Sequence, residues 1–203
     1  MYGIQTKMLF CMEDVMFKDR TKKLFAAELE AMLGEMPLSK VRVNVLCERC
    51  GAQRQAFYYH FRDKYDLVAW IFEQDFRAGV EDAAGGGYQE QTARALARMW
   101  ERRGFYLTAF ADKSQNSIER HIQEFDVAMS TKVVLRYSGA RELSAQRLFD
   151  IKSHSYGSIG CTVEWLRGEL DTTPEKLAAW ECERMPAFLL AAYDAAAHEG
   201  WKV

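Results

Sequence analysis

Residues 52–67 read AQRQAFYYHFRDKYDL, four aromatic rings (Phe57, Tyr58, Tyr59 and Phe61) within five positions, set among Arg54, Arg62 and Lys64 and preceded by Gly51. Phe57 and Phe61 are four residues apart and so share one side of a helix, where they can pack into a core. The other side carries Gln53, Arg54, Gln55, Tyr58, Tyr59 and His60. Gln and Arg present the paired donors and acceptors that match base edges, while Tyr hydroxyls and cations suit phosphate oxygens. A helix over 53–61 that gives rings to a core and polar groups to solvent reads as a recognition helix.

The flanking sequence supplies the rest of the unit. Val41, Val43, Val45 and Leu46 run on to Cys50 and Gly51 as a short helix closed by a glycine. A strand there would have no partner, since alternating apolar patterns are missing elsewhere in the chain. Upstream, Leu24, Phe25, Leu29, Met32 and Leu33 recur at helical spacing over 19–33, and Gly34 with Pro37 supplies the stop. Two short helices joined at a glycine and packed on a preceding helix make a helix-turn-helix, whose second helix enters the major groove. A fourth helix is expected over 64–79, with Leu67, Trp70, Ile71 and Phe72 on its apolar side.

Charge agrees locally. Between Met36 and Lys64 the cations Lys40, Arg42, Arg49, Arg54, Arg62 and Lys64 outnumber the anions Glu48 and Asp63, giving +4 within a chain of net charge -2, so the remainder carries -6. A basic patch on an acidic body is the electrostatic footprint of DNA binding and orients the body away from the phosphates.

The whole chain, 203 residues with 49% hydrophobic side chains and only three prolines, is long enough for a buried core and has a helix-forming composition. An all-α fold of about nine helices follows. Beyond the glycines at Gly85, Gly86 and Gly87, read as a flexible joint, helices are expected over 89–102, 105–112, 114–137, 144–167 and 173–198. Thr173, Pro174 and Glu175 mark the last start, with a hydroxyl cap, a proline in the first turn and an acid at the positive end of the dipole. Glu13 and Asp14 interrupt the apolar segment 8–17, which therefore reads as neither a signal core nor a membrane span. A cytoplasmic protein without membrane contact is expected.

The chemistry-bearing candidates are few. Five cysteines, Cys11, Cys47, Cys50, Cys161 and Cys182, form no regular disulfide framework. Cys47 and Cys50 make C-x-x-C, yet no second pair completes a tetrahedral site, so they read as small buried side chains and no metal is expected. His121 with Glu119, or His154 with Ser153 and Ser155, could be drawn as acid-base or nucleophilic pairs. No G-x-S-x-G, H-E-x-x-H, Walker loop or G-x-G-x-x-G accompanies them, and Gly85 to Gly87 is not followed by Lys-Ser or Lys-Thr. A non-enzymatic protein with no cofactor is the expectation.

The run VRVNVLCERCGAQRQAFYYHFRDKYDLVAWIF resembles the DNA-binding domain of the TetR family of transcriptional regulators, over about 18–72, through its glycine turn, its Y-x-x-F recognition helix and the lysine that opens helix 4. The resemblance implies a DNA-binding domain over 18–64 followed by a helical regulatory and dimerisation domain over 65–203. By position, Tyr58 and Tyr59 would contact backbone or bases, His60 would sit near a phosphate, Lys64 would clamp one, and Arg54 and Gln55, beside Gln53, would read bases. Arg42 and Ala56 stand where the family usually has threonines; Arg42 can replace one hydroxyl with a charge-assisted bond. Cys47 and Cys50 stand where the family places small alanines against helix 1.

Further on, NSIERHIQEF and SYGSIGCTVEWLRGELDTTPEKLAAW resemble the branch of that family that includes the dihydroxyacetone kinase activator. The branch implies a four-helix dimer interface with Tyr156, Gly157, Gly160, Val163 and Trp165. The family also implies an effector pocket, for which Trp100, Tyr106, Phe110, His121, Phe125 and His154 are the candidates, together with Phe105 and Met129. The expected protein is a homodimer that reads a near-palindromic double-stranded operator and answers to an unknown small-molecule effector or a protein coactivator. The alternatives are a helical interaction module that has lost operator binding, and a small-molecule enzyme.

Overall fold

A computed structural model describes residues 20–83, 85–111 and 118–201. The segment 8–17, Cys11 and the expected helix ends at 112 and 114 lie outside these. The described residues are all-helical: α1 (20–35), α2 (Val43–Arg49), α3 (Arg54–His60), α4 (Lys64–Asp82), α5 (Tyr88–Glu101), α6 (Arg103–Phe110), α7 (Ile118–Ser138), α8 (Ala145–Arg167), α9 (Pro174–Arg184) and α10 (Ala187–His198). A 3-10 turn, Leu38–Lys40, joins α1 to α2. None of the described helices is long and apolar enough to cross a membrane.

Local rules explain most boundaries. Gly51 closes α2 at φ +62, a left-handed conformation that disfavours any side chain, and the chain turns directly into α3. Asp63 caps α4 by accepting from the Tyr65 and Asp66 amides at 2.8 and 2.9 Å. Ser144 caps α8, and Thr173 caps α9 with Pro174 in its first turn, as the sequence implies.

Two boundaries differ from expectation. The helix expected over 173–198 is two helices, because Pro186 has no amide to donate and holds Met185 extended at φ -68, ψ 136. This break brings the count of α-helices to ten among the described residues. Helix α4 does not end at Gly79 but runs on to Asp82. Gly79 is there for contact: a Cβ on it would lie 2.5 Å from the Ala95 backbone nitrogen, so α4 and α5 approach to backbone distance at this point. The glycines at 85–87 form the turn of this hairpin, with the Gly86 amide bonded to the Ala83 carbonyl at 2.8 Å.

The core has two parts. The larger one joins Phe25, Leu29 and Met32 of α1 to Leu46, Phe57, Leu67 and Ile71, and continues through Leu96, Tyr106 and Ile122 to Trp165 and Leu177. The smaller one lies at the other end, where α7, α8 and α10 contribute Val133, Ile151 and Leu189. The expected domain boundary at 64/65 falls at the start of α4, whose first turns pack in the N-terminal unit while Asp75 and Gly79 pack in the C-terminal one. Any displacement of α4 is therefore felt in both.

Candidate nucleic-acid interface and ligand cavity

In α3 the aromatic cluster divides as its spacing demands. Phe57 and Phe61 are buried, and Phe57 meets Phe25 of α1 edge to face at 5.3 Å. Tyr58 and Tyr59 remain 49% and 66% exposed, with Gln53, Arg54 and Gln55 exposed beside them. The Arg54 guanidinium lies 5.6 Å from the centre of the Tyr58 ring and donates to its hydroxyl at 3.4 Å, so the two present one joined surface. Arg42 is exposed at the start of α2. His60 is half-buried, its ring 4.9 Å from that of Tyr59. Ala56 turns partly toward the core.

Lys64 is held by backbone carbonyls. Its ammonium donates to the carbonyls of Leu38 at 2.7 Å and of Ser39 and Val41, both at 3.1 Å. These bonds fasten the start of α4 to the 3-10 turn that leads into α2. Two further cations of the +4 segment are neutralised by carboxylates that sequence counting could not place: Arg49 by Glu35 at 2.7 Å and Glu28 at 3.3 Å, and Arg62 by Asp66 at 3.1 Å. Lys40, Arg42 and Arg54 keep exposed charges without a carboxylate partner among the described residues. The positive face is thus narrower than the count suggests, and it is centred on α3 and the start of α2.

Cys47 is buried and the Cys50 thiol lies 3.8 Å from the Leu24 carbonyl, so both pack against α1. Burial pushes the Cys50 thiol up to about 11, which keeps it protonated and unreactive. Among the described residues no three His, Cys, Asp or Glu side chains are grouped to hold a metal ion.

A cavity of about 340 Å³ lies within the C-terminal helices, between the two parts of the core. Of the expected pocket residues, Phe110, Phe125 and His154 line it, as does Met129. Trp100, Tyr106 and His121 do not. Trp100 lies at the surface, 4.8 Å from the Trp165 ring. Tyr106 is fully buried and its hydroxyl donates to Asp75. His121 stacks on Tyr65 near the head of α4, with its Nε2 3.9 Å from Asp63.

The cavity also holds groups that the sequence reading passed over. Tyr88 and Tyr193 form one wall, stacked at 4.5 Å, with the Tyr193 and Ser130 hydroxyls 2.7 Å apart. Asp126 of α7 and Glu181 of α9 face inward. Thr162 donates to Glu181 at 3.1 Å. Burial outweighs that bond and, with the nearby Asp126 charge, pushes the Glu181 carboxyl up to about 8; burial also raises Asp126. The buried Ser155 hydroxyl approaches Asp126 without completing a hydrogen bond of good geometry. Burial lowers His154, which favours its neutral form.

A part-buried ion network ties α1 to α4, α5 and α6. Arg102, at the end of α5, donates to both Asp75 oxygens and reaches Glu30 of α1 at 2.6 Å. Tyr106 completes it on Asp75. Helices α1, α4, α5 and α6 thus meet at one guanidinium.

The residues expected at a dimer interface separate along α8. Tyr156, Gly157 and Gly160 are exposed, on the same side as Phe149, which is 65% exposed. Val163 and Trp165 face the protomer's own core, and the Trp165 indole donates to the Thr172 carbonyl at 2.9 Å. Neither has surface to offer a second chain.

Comparison with known proteins gives two matches along the chain. Residues 29–71 match the family described as "Bacterial regulatory proteins, tetR family", and residues 88–180 match "Transcriptional regulator C-terminal region". The chain is similar to the HTH-type dhaKLM operon transcriptional activator DhaS of Lactococcus lactis subsp. lactis (strain IL1403), at 26% identity over 91 residues. That alignment spans 44% of this chain and 49% of the relative, about half the relative's length. Its fold is similar to a solved structure of the dihydroxyacetone kinase operon activator DhaS, with a TM-score of 0.51, 22% identity, and coverage of 86% of this chain and 97% of the other.

Proposed function

Given that the chain belongs to the TetR family of bacterial transcriptional regulators, a regulator and not an enzyme, we propose that it binds operator DNA as a homodimer, each protomer laying α3 in a major groove. The observation that carries this reading is the outer face of α3, where Arg54, Gln55, Tyr58 and Tyr59 stand exposed on a helix whose opposite face is locked into the core. Arg54, Gln55 and Gln53 read base edges; the tyrosines, His60 and Arg42 hold the backbone. Residues 18–64 form the reading unit and 65–203 the regulatory and dimerising unit. Tyr156, Gly157 and Gly160 on α8 supply part of the dimer contact, where the glycines permit close helix approach. Two copies then reach grooves about 34 Å apart on a near-palindromic site. The protein acts in the cytoplasm, where the operator is.

The cavity supports a small-molecule effector over a coactivator protein as the signal. Phe72 and Phe76 of α4 line it, while the first residue of the same helix, Lys64, anchors the turn before α2. A ligand that moves α4 would move the reading unit with it.

Titration with DNA from upstream of the protein's own gene, at several salt concentrations, tests the reading. Binding well above that to random DNA, with log affinity falling linearly against log salt, is the expected result. Equal affinity for both DNAs, or no salt slope, would end it.

A further inference from the structure

The cavity has a chemical bias. Its walls are mostly apolar and aromatic, yet four carboxyls line it: Glu73, paired with Arg77, Glu81 at the exposed side, and Asp126 and Glu181, which come from different helices. Neither of these last two makes an ion pair among the described residues, and no cation figures among the groups that shift either one. Of the described basic residues that line the cavity, Arg77 is paired with Glu73 on its own helix, and burial lowers His154 toward its neutral form. Carboxyls in an apolar enclosure cost stability unless something compensates them. A structural role would have been served better by Asn and Gln. The neighbouring surfaces suit a particular guest, since the faces of Tyr88 and Tyr193 attract cations and Phe110, Phe125 and Met129 accept an apolar body.

We propose that this cavity binds a hydrophobic organic cation, its ammonium held by Asp126 and Glu181 and its apolar body by the aromatic and methionine walls. The volume of about 340 Å³ sets the size, at the small end of ligand sites. This deepens the preceding reading, because it rests on the cavity being the effector site.

Three probes of one shape and different charge test it: phenylbutylamine, phenylbutanol and phenylbutyrate, titrated calorimetrically into the full-length protein at about pH 9, where Glu181 is ionised and an alkylamine, like the ordinary Lys at about 10.4, is still mostly charged. The amine should bind about tenfold tighter than the alcohol or better, and the carboxylate weakest of the three. Asp126→Asn and Glu181→Gln should each weaken the amine about tenfold while leaving the alcohol nearly unchanged. An alcohol that binds as well as the amine, amine affinity insensitive to both variants, or no binding of the amine would each overturn the proposal. The wild-type comparison of amine with alcohol stands even where a variant folds poorly. Operator binding measured without any ligand separates the two readings: operator binding without amine binding sinks the cation site alone, and amine binding without operator binding sinks the DNA reading alone.

Discussion

On α3, rings and polar groups divide between the two faces of one seven-residue helix; around the cavity, they converge from every helix from α4 to α10. Both places are rich in aromatic side chains with a few charges, and the difference lies in solvent. At the reading face, Arg54 keeps its charge at the surface and packs on a ring that is itself half in water. In the cavity the same proximity of ring and charge occurs out of bulk water, where a carboxyl cannot hold its proton affinity down and Glu181 rises to about 8. A group poised to meet a polyanion is best left solvated and strong. A group poised to select a small guest is best left desolvated and uncompensated until the guest arrives.

The Arg102 network is where the two regions join, and removing it should have the largest effect. Arg102→Ala would leave Asp75, nearly buried, without its cation and would release Glu30 of α1. Breaking a fully buried pair from one side costs about 3–5 kcal/mol; with Arg102 and Glu30 partly exposed, the loss here should be about 2–3 kcal/mol, mostly from Asp75. Thermal melting should therefore fall by roughly 2–4 °C for each kcal/mol in a chain of this size. Arg49→Ala, which removes solvent-screened contacts to Glu28 and Glu35, should leave the melting temperature almost unchanged. Equal losses in the two variants would show that the network is not what couples the units.

A smaller effect separates Lys64 from Arg54. Lys64→Ala leaves three carbonyls without their donor and should lower the stability of the N-terminal unit by about 1–3 kcal/mol, with weaker DNA binding only as a consequence. Arg54→Ala should leave the melting temperature unchanged and instead cost about 1–3 kcal/mol of discrimination at one operator position. Melting curves beside binding to single-base operator variants measure both. If Lys64→Ala weakens binding without altering the melt, its ammonium faces phosphate after all.

These contrasts also show what the sequence could and could not disclose. The reading unit is contiguous, so the four-residue spacing of Phe57 and Phe61 and the glycine at Gly51 were enough to orient every side chain of α3. The charge count was less dependable, because Glu28, Glu35 and the carbonyls around Ser39 approach Arg49 and Lys64 only in three dimensions. The cavity was harder still. Trp100, Tyr106 and His121 are aromatic in the right half of the chain, but an aromatic stripe does not reveal whether it faces a void, a core or the surface. A better signal was present: Asp126 lies on one α7 face between Ile122 and Ser130, and Glu181 lies four residues from both Leu177 and Met185. A carboxylate at a core position of a helix is a poor structural choice and so a pointer to function. Pro186 was visible in the same way, since a proline that deep in a helical pattern requires a break.

The smallest expected effect tests the interior side of the comparison by pH. Glu181 ionises near its usual 4.5 when the chain is unfolded but near 8 when folded, so between these values the folded state holds a proton that the unfolded state has lost. Stability is therefore fully present below about pH 4.5, falls as pH rises toward 8, and levels off above that, where both states are ionised. Tyr88 and Tyr193 stay neutral throughout, since burial raises both phenols; His154, lowered by burial, opposes the change below its ordinary 6.5, and Asp126, raised by burial, adds to it at the acid end, so the Glu181 slope is clearest between about pH 6.5 and 8. Each pH unit carries up to about 1.4 kcal/mol in principle, but the carboxyl is only partly buried and His154 titrates against it, which should reduce the whole change to roughly 1 kcal/mol. Glu181→Gln keeps the hydrogen bond and removes the titration, so its stability should change less with pH than the wild type's between about pH 6.5 and 8. Chemical denaturation at a series of pH values measures the slope. Identical slopes in the two proteins would place Glu181 in contact with bulk water and remove the desolvation on which the contrast between the two regions rests.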